Sequence, residues 1–240
     1  MPNSKLYAWL GWLPLLLCLS CLLFFPLNWN FYYNFLTNED GVIEWLTVIL
    51  TITACVFTLK LTWNKYKTEG ISLDSLFLLL FAAGCVFFAG EEISWGQRII
   101  GLETAEISPW LADVNRQHEL NLHNIRAFSK IRLIADVFCL IWGIIIPLVY
   151  LKRSFPIKVI QPYMSPCWLI PGFATCLLIT LPLKICESIF GEIQWFEELR
   201  LGELKETALG LVILLYSLHL LKFYQNRSIN SPSPQIDNKT

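Results

Sequence analysis

Apolar positions along the chain fall into six blocks, at 7–27, 41–63, 73–93, 131–151, 168–190 and 204–221, separated by polar stretches. A run of about 20 apolar residues is long enough for a helix to cross the hydrocarbon core of a bilayer. The pattern therefore predicts an all-α, polytopic transmembrane helical bundle of about six spans, and not a barrel. The blocks pair into three hairpins, with a long outer loop between the third and fourth spans. Residues 1–224 form a single transmembrane domain on this reading. Residues 225–240, rich in Asn, Ser and Pro, form a disordered cytoplasmic tail. The first block follows Lys5 and resembles a signal peptide, but no small-x-small cleavage site follows it, so a retained first helix is expected.

With 240 residues, 55% apolar and 15% charged, composition alone would also suit a large soluble domain. The clustering of the apolar residues decides between the two. Of eight cysteines, seven lie within the blocks and Cys167 lies at an edge, where thiols behave as small apolar groups. Cys18-x-x-Cys21 inside an apolar helix points only weakly to redox chemistry.

Charge divides more sharply than the net value of −1 suggests. With both termini on one side, that side holds ten of the eighteen Lys and Arg residues but only three of the nineteen acids, Glu69, Asp74 and Asp237. The positive-inside rule then makes both termini cytoplasmic, which also removes the sequons at Asn226 and Asn238 from glycosylation. Trp9, Trp12, Trp63 and Trp168 mark the inner interface on this reading, and Trp29, Trp45, Trp95, Trp110 and Trp195 the outer one. Trp142 lies deep in a span.

Sixteen acids thus fall on the outer side. Charges next to apolar spans are expensive and usually persist because they pair, bind an ion or do chemistry. Helical spacing sorts them. Ala82, Cys85, Ala89, Glu92 and Gly96 form a small-residue stripe that allows close helix approach, which predicts a buried Glu92. Glu91 falls on another face with Gly84, Phe88, Ser94, Trp95 and Arg98, where water or a cation is the expected partner. Asp40, Glu44, Thr47, Thr51, Cys55, Thr58 and Thr62 share a polar seam, whose lower threonines are expected to serve helix packing. Arg132 with Asp136, and Lys184 with Glu187, have the spacing of structural ion pairs. Glu44, Glu92, Glu187 and Glu206, from four helices, are expected at a similar depth. His219, near the other end of its helix, is expected to be interfacial. Gly90-Glu91-Glu92-Ile93-Ser94-Trp95 and Gly191-Glu192-Ile193-Gln194-Trp195 hint at an internal repeat.

The long loop carries Asn115-Arg116-Gln117-His118-Glu119-Leu120-Asn121-Leu122-His123-Asn124. On a helix, His118 and His123 would lie about 140° apart, unlike the histidines of H-E-x-x-H zinc proteases. Glu119 and His123 would share a face, where the carboxylate can orient the imidazole or join it on a metal. A hydrogen-bonded loop without chemistry is the competing reading.

Together with Glu39-Asp40-Gly41-x-x-Glu44-Trp45, the segment Glu91-Glu92-Ile93-Ser94-Trp95-Gly96-Gln97-Arg98 and the pattern Asn115-x-Gln117-x-Glu119-x-Asn121-x-His123-Asn124 resemble a family of bacterial multi-spanning membrane proteins of uncharacterised activity. The resemblance covers roughly residues 39 to 124. It implies the fold and a candidate site without a reaction, and a location in the bacterial plasma (cell inner) membrane. The family pattern has glycine where this chain has His118, which favours His123.

Three functions compete. The first is a membrane-embedded enzyme at the outer interface, acting on a lipid or lipid-linked substrate. Glu91, Glu92, Glu119 and His123 would be the catalytic groups, and Glu92, Glu119 and His123 could hold a divalent metal. Glu44, Arg98, Asn121, Asn124, Glu187 and Glu206 would support them. The second is a proton- or cation-coupled transporter, and the third a scaffold whose acidic face binds a basic partner. No P-loop, nucleophile elbow or dinucleotide fingerprint is present, and nothing points to nucleic acid. Three histidines are too few for the di-iron pattern of membrane desaturases.

Overall fold

Helix ends fall where the chain supplies caps and breakers. In the computed structural model, residues 4–107, 120–121, 131–152, 161–191 and 198–229 are described, and they form helices and turns with no strand among them. The main helices are α1 (Ser4–Leu10), α2 (Leu13–Leu27), α3 (Val42–Glu69), α4 (Leu73–Glu92), α5 (131–152), α6 (Ile170–Leu178), α7 (Leu181–Phe190) and α8 (Leu201–Ile229). Four are long and apolar enough to cross a membrane: α3, α4, Leu133–Leu151 of α5, and Leu201–Asn226 of α8. Outward-facing Ile49, Ile52 and Val56 on α3, Leu79 and Leu80 on α4, and Leu133 on α5 are all exposed. A surface this apolar suits lipid and not water.

The first and fifth apolar blocks are broken, each for a local reason. At Gly11, between α1 and α2, a Cβ would lie 1.8 Å from the carbonyl oxygen of Trp168, so only glycine allows this approach. Pro14 then sits in the first turn of α2, where its missing N–H costs no helical bond. The fifth block divides at Ile179 and Thr180 into α6 and α7. Pro182 has no N–H to offer the Leu178 carbonyl. α5, by contrast, passes Pro147 without ending. Its register widens to a π turn at Ile141–Ile145, the segment that contains Gly143, the residue whose carbonyl Pro147 would otherwise bond.

Between α3 and α4, Gly70 takes a positive φ of 70°, and Ser72 and Ser75 cap α4 reciprocally. The two helices therefore form an antiparallel hairpin. α8 lies along α3 in the same direction: Thr47 Oγ1 and Thr207 Oγ1 are 2.8 Å apart, and further along Lys65 Nζ lies 4.9 Å from the centre of the Tyr224 ring. A Cβ on Gly210 would meet Thr47 Cγ2 at 3.4 Å, ordinary van der Waals contact, so the small residue keeps the two helices close. On the other side of α8, Gly172 of α6 lies against Val212 and Pro14, and the Cys18 thiol of α2 reaches the Leu204 carbonyl at 3.5 Å. α5 joins through α6, where Phe173 fills the space beside Gly143.

These directions gather Glu44, Glu92, Asp136, Lys205 and Glu206 at one end of the bundle. At the other, Lys65 pairs with Glu69 at 2.6 Å and with Asp74 at 3.4 Å, the Tyr163 hydroxyl donates to Asp74, and Lys222 donates to Tyr7. His219 packs beside Trp168 and Tyr216 towards this second end. α8 runs to Ile229, into the segment expected to be a tail, and residues 230–240 lie outside the described residues.

Candidate functional site

The carboxylate-rich end is built around the way α4 stops. Ala82, Cys85, Ala89 and Glu92 are all buried along one stripe, as the small-residue spacing predicts. α4 ends at Glu92, and Ser94, Trp95 and Gly96 then adopt φ of 47°, 54° and 83°. Two consecutive non-glycine residues in the left-handed region are strained, at about 1–3 kcal/mol each, and such strain persists only where surrounding contacts fix it. Here the turn folds Trp95 back over α4. Its indole ring lies so close to Gly90 that a Cβ there would meet it at 2.9 Å, and its N–H donates to Glu91 Oε1 at 2.8 Å.

Glu91 is buried and accepts the Trp95 indole N–H. The side chain of Arg98, the cation on the face that helical spacing gives Glu91, lies outside the described residues. The Trp95 contact arises from the left-handed turn, which has no helical period and so cannot be extrapolated from α4.

Beyond the turn, Gln97 is buried and bridges two segments. Its Nε2 donates to Thr104 Oγ1 at 2.6 Å, and its Oε1 accepts the Leu120 backbone N–H at 2.7 Å. Asn121, next in the chain, is buried as well. One amide side chain thereby ties the segment after α4 to the middle of the histidine-containing loop. Gln97 and Thr104 were not among the candidate residues, although Gln97 stands in the motif. A buried glutamine with both ends engaged is the signal, and only coordinates reveal it.

Glu44 is buried for a different purpose. Three residues after Gly41, the cap of α3, its carboxylate accepts the Asp40 backbone N–H at 2.7 Å, and it stands where the helix dipole favours negative charge. Asp40 has a φ of 62°, so Glu44 also braces a left-handed residue. Glu206 is half-buried on α8. Asp136 on α5 pairs with Lys205 of α8, joining two helices, and the side chain of Arg132, the partner the spacing gives, lies outside the described residues. Threonines 47, 51, 58 and 62 each donate to the carbonyl four residues earlier, so the seam serves packing.

A second set of contacts closes the same end. Arg200 donates to the Thr37 carbonyl and to the Tyr33 hydroxyl, each at 3.3 Å, and its guanidinium lies 4.6 Å from the centre of the Tyr33 ring. The Tyr32 hydroxyl donates to the Leu199 carbonyl. Burial pushes the Tyr32 phenol above its ordinary value, which keeps it a donor.

Of the other expected site residues, His118, Glu119, His123 and Asn124 lie outside the described residues, as do the side chains of Arg98, Arg132, Lys184 and Glu187. The second copy of the possible repeat, 192–197, does too. Among the described residues no three His, Cys, Asp or Glu side chains are grouped so that they could hold a metal ion. Comparison with protein-family models, with curated proteins and with solved structures finds no match for the chain.

Proposed function

We propose that the protein is a membrane-embedded enzyme whose acid-base site lies at the carboxylate-rich end and acts on a lipid or lipid-linked substrate. The Gln97 bridge carries this reading. It fastens the backbone at Leu120, between Glu119 and His123 in sequence, to the segment that follows Glu91 and Glu92. The two halves of the sequence pattern that resembles the bacterial membrane family therefore belong to one site. In that site Glu92 is the buried carboxylate that moves a proton, His123 is its acid-base partner, and Glu119 orients the imidazole. Glu91, held by the Trp95 indole, positions the turn. If a divalent ion takes part, Glu92 is its ligand from α4, and Glu119 and His123 supply the rest.

The same reading divides the chain into six crossings. α1 with α2 makes the first and α6 with α7 the fifth, both discontinuous. The termini and the Lys65 end face the cytoplasm of a bacterial cell, and the carboxylate-rich end faces outward.

One observation favours a transporter instead. The break between α6 and α7 lies within an apolar block, and the hydroxyl of buried Thr180 has no hydrogen-bond partner among the described residues. Broken helices with polar groups at the break are a feature of transporter sites. Vesicles that turn over no lipid but carry a cation or proton flux lost in Thr180→Val would select that reading. Incubating reconstituted protein with a bacterial lipid extract, wild type against Glu92→Gln and His123→Ala, tests the enzyme reading, and metal analysis of the same three proteins tests the ion.

A further inference from the structure

Between α4, α5 and α8 lies an apolar groove of about 470 Å³, lined by Phe81 and Cys85 of α4, Phe138 and Trp142 of α5, Phe173 of α6 and Val212 of α8. Its volume falls in the range of pockets that enclose a small-molecule ligand, about 300–1,000 Å³. Two lining residues, Leu80 and Phe138, are 64% and 56% exposed, so both lips of the groove face the surroundings of the bundle. Those lips sit on helices apolar and long enough to cross a membrane. The medium that meets the opening is then hydrocarbon, and an apolar cavity has no partners to offer water.

Size and polarity together specify the occupant. Along α4 the lining runs from Phe77 to Cys85, a helical rise of about 12 Å. Half of a hydrocarbon core of roughly 30 Å is about 15 Å, the depth of one leaflet. The lining is therefore close in length to one acyl chain, and on α4 it lies about the middle of Leu73–Glu92. At its carboxylate-rich end the lining residues Ala135 and Leu209 stand one residue from Asp136 and one helical turn from Lys205, which form an ion pair. This pair marks the end of the groove nearest the carboxylates. Beyond Cys85, the same face of α4 continues through Ala89 to Glu92.

We infer that this groove takes one acyl chain of a bilayer phospholipid, with the lipid head towards the end where Asp136 and Lys205 pair. The inference gives the lipid-acting reading above its substrate class and rests on that reading only for the relevance of Glu92. Occupancy itself requires no turnover. A phospholipid bound in this way points its head towards the end that holds Glu91 and Glu92.

The probe is phosphatidylglycerol carrying a photoactivatable diazirine near the middle of one acyl chain, present in trace amounts in phosphatidylglycerol vesicles containing the full-length protein. Labelled residues are mapped by mass spectrometry. Labelling at Phe81, Cys85 and Trp142 is expected to exceed that at Ile52 and Val56, which face outward on α3 away from the groove, by about tenfold. Gly84 lines the groove and a Cβ there would meet nothing within 4 Å, so Gly84→Leu projects a side chain into it. It should lower groove labelling about tenfold while leaving Ile52 and Val56 unchanged. Ala135→Leu, from the opposite wall, should do the same and serves if Gly84→Leu misfolds, which altered labelling at Ile52 and Val56 would reveal. Glu92→Gln should label like wild type, so a failed enzyme reading leaves the groove intact. Groove labelling no stronger than at Ile52 and Val56, or unchanged in both filled variants, overturns the inference.

Discussion

The side-chain oxygen of Gln97 accepts the backbone N–H of Leu120 at 2.7 Å, across a separation of 23 residues in the chain. The amide nitrogen of the same side chain is engaged by Thr104. Gln97→Leu would leave a part-buried N–H at Leu120 and the buried Thr104 hydroxyl each without this partner. An unsatisfied buried polar group costs about 1–3 kcal/mol. The expected result is faster hydrogen exchange in peptides containing Leu120, by roughly tenfold, with exchange across α3 and α8 unchanged. Gln97→Glu should lose less, because a carboxylate still accepts the Leu120 N–H and the Thr104 hydroxyl can turn to donate to it.

Asp136 and Lys205 tie α5 to α8, and both side chains are 16% exposed. Removing one partner of a largely buried pair leaves a charge that has lost its hydration and its counterion, with a loss of about 3–5 kcal/mol at full burial and less here. Lys205→Met should therefore lower the unfolding temperature in detergent more than the double variant Asp136→Leu/Lys205→Met does. A double variant less stable than the single one would count against the pair.

At Gly143, the π turn of α5 meets Phe173 so closely that a Cβ would fall 2.1 Å from Cγ of the ring. Gly143→Ala should destabilise the protein by about 1–3 kcal/mol through overpacking. Phe173→Leu in the same chain should recover part of that loss, because the smaller side chain has no ring at the point of collision. Denaturation in SDS, with far-ultraviolet circular dichroism as the signal, measures both.

The Thr47 and Thr207 hydroxyls lie 2.8 Å apart between α3 and α8, and since each has a single hydrogen, one donates across the pair while the other donates to a carbonyl of its own helix. Interhelical bonds of this kind average only about 0.6 kcal/mol in membranes. A double-mutant cycle with Thr47→Val and Thr207→Val should return a coupling of about that size, and Gly210→Leu, which blocks the helix approach, should cost more than either.

The apolar blocks made the helical class legible, because length and hydropathy are local properties. Breaks were harder. Pro182 ends α6, whereas Pro147 is absorbed by a π turn beside Phe173, and the difference lies in packing that no local pattern contains. At the site, the burial of Glu92 followed from the stripe through Ala82, Cys85 and Ala89, since helical period carries that information. The Trp95 bond to Glu91 did not follow, because the chain turns through left-handed Ser94 and Trp95, where helical period no longer applies. Lys205 pairs with Asp136 from another helix, α8, and which helices adjoin is a tertiary fact that no spacing contains. Gln97 is the same kind of case: its motif position was visible and its bridging role was not.

The enzyme reading meets its most direct test in lipid conversion. Protein in vesicles is incubated with a bacterial lipid extract, and every lipid species is followed by mass spectrometry for wild type, Glu92→Gln and His123→Ala. One species should be consumed and one product formed by wild type, with both rates falling by about 10²–10⁴ in each variant, the usual contribution of an acid-base group, while helical content is retained. No conversion by the wild type, or conversion that survives both substitutions, contradicts the account.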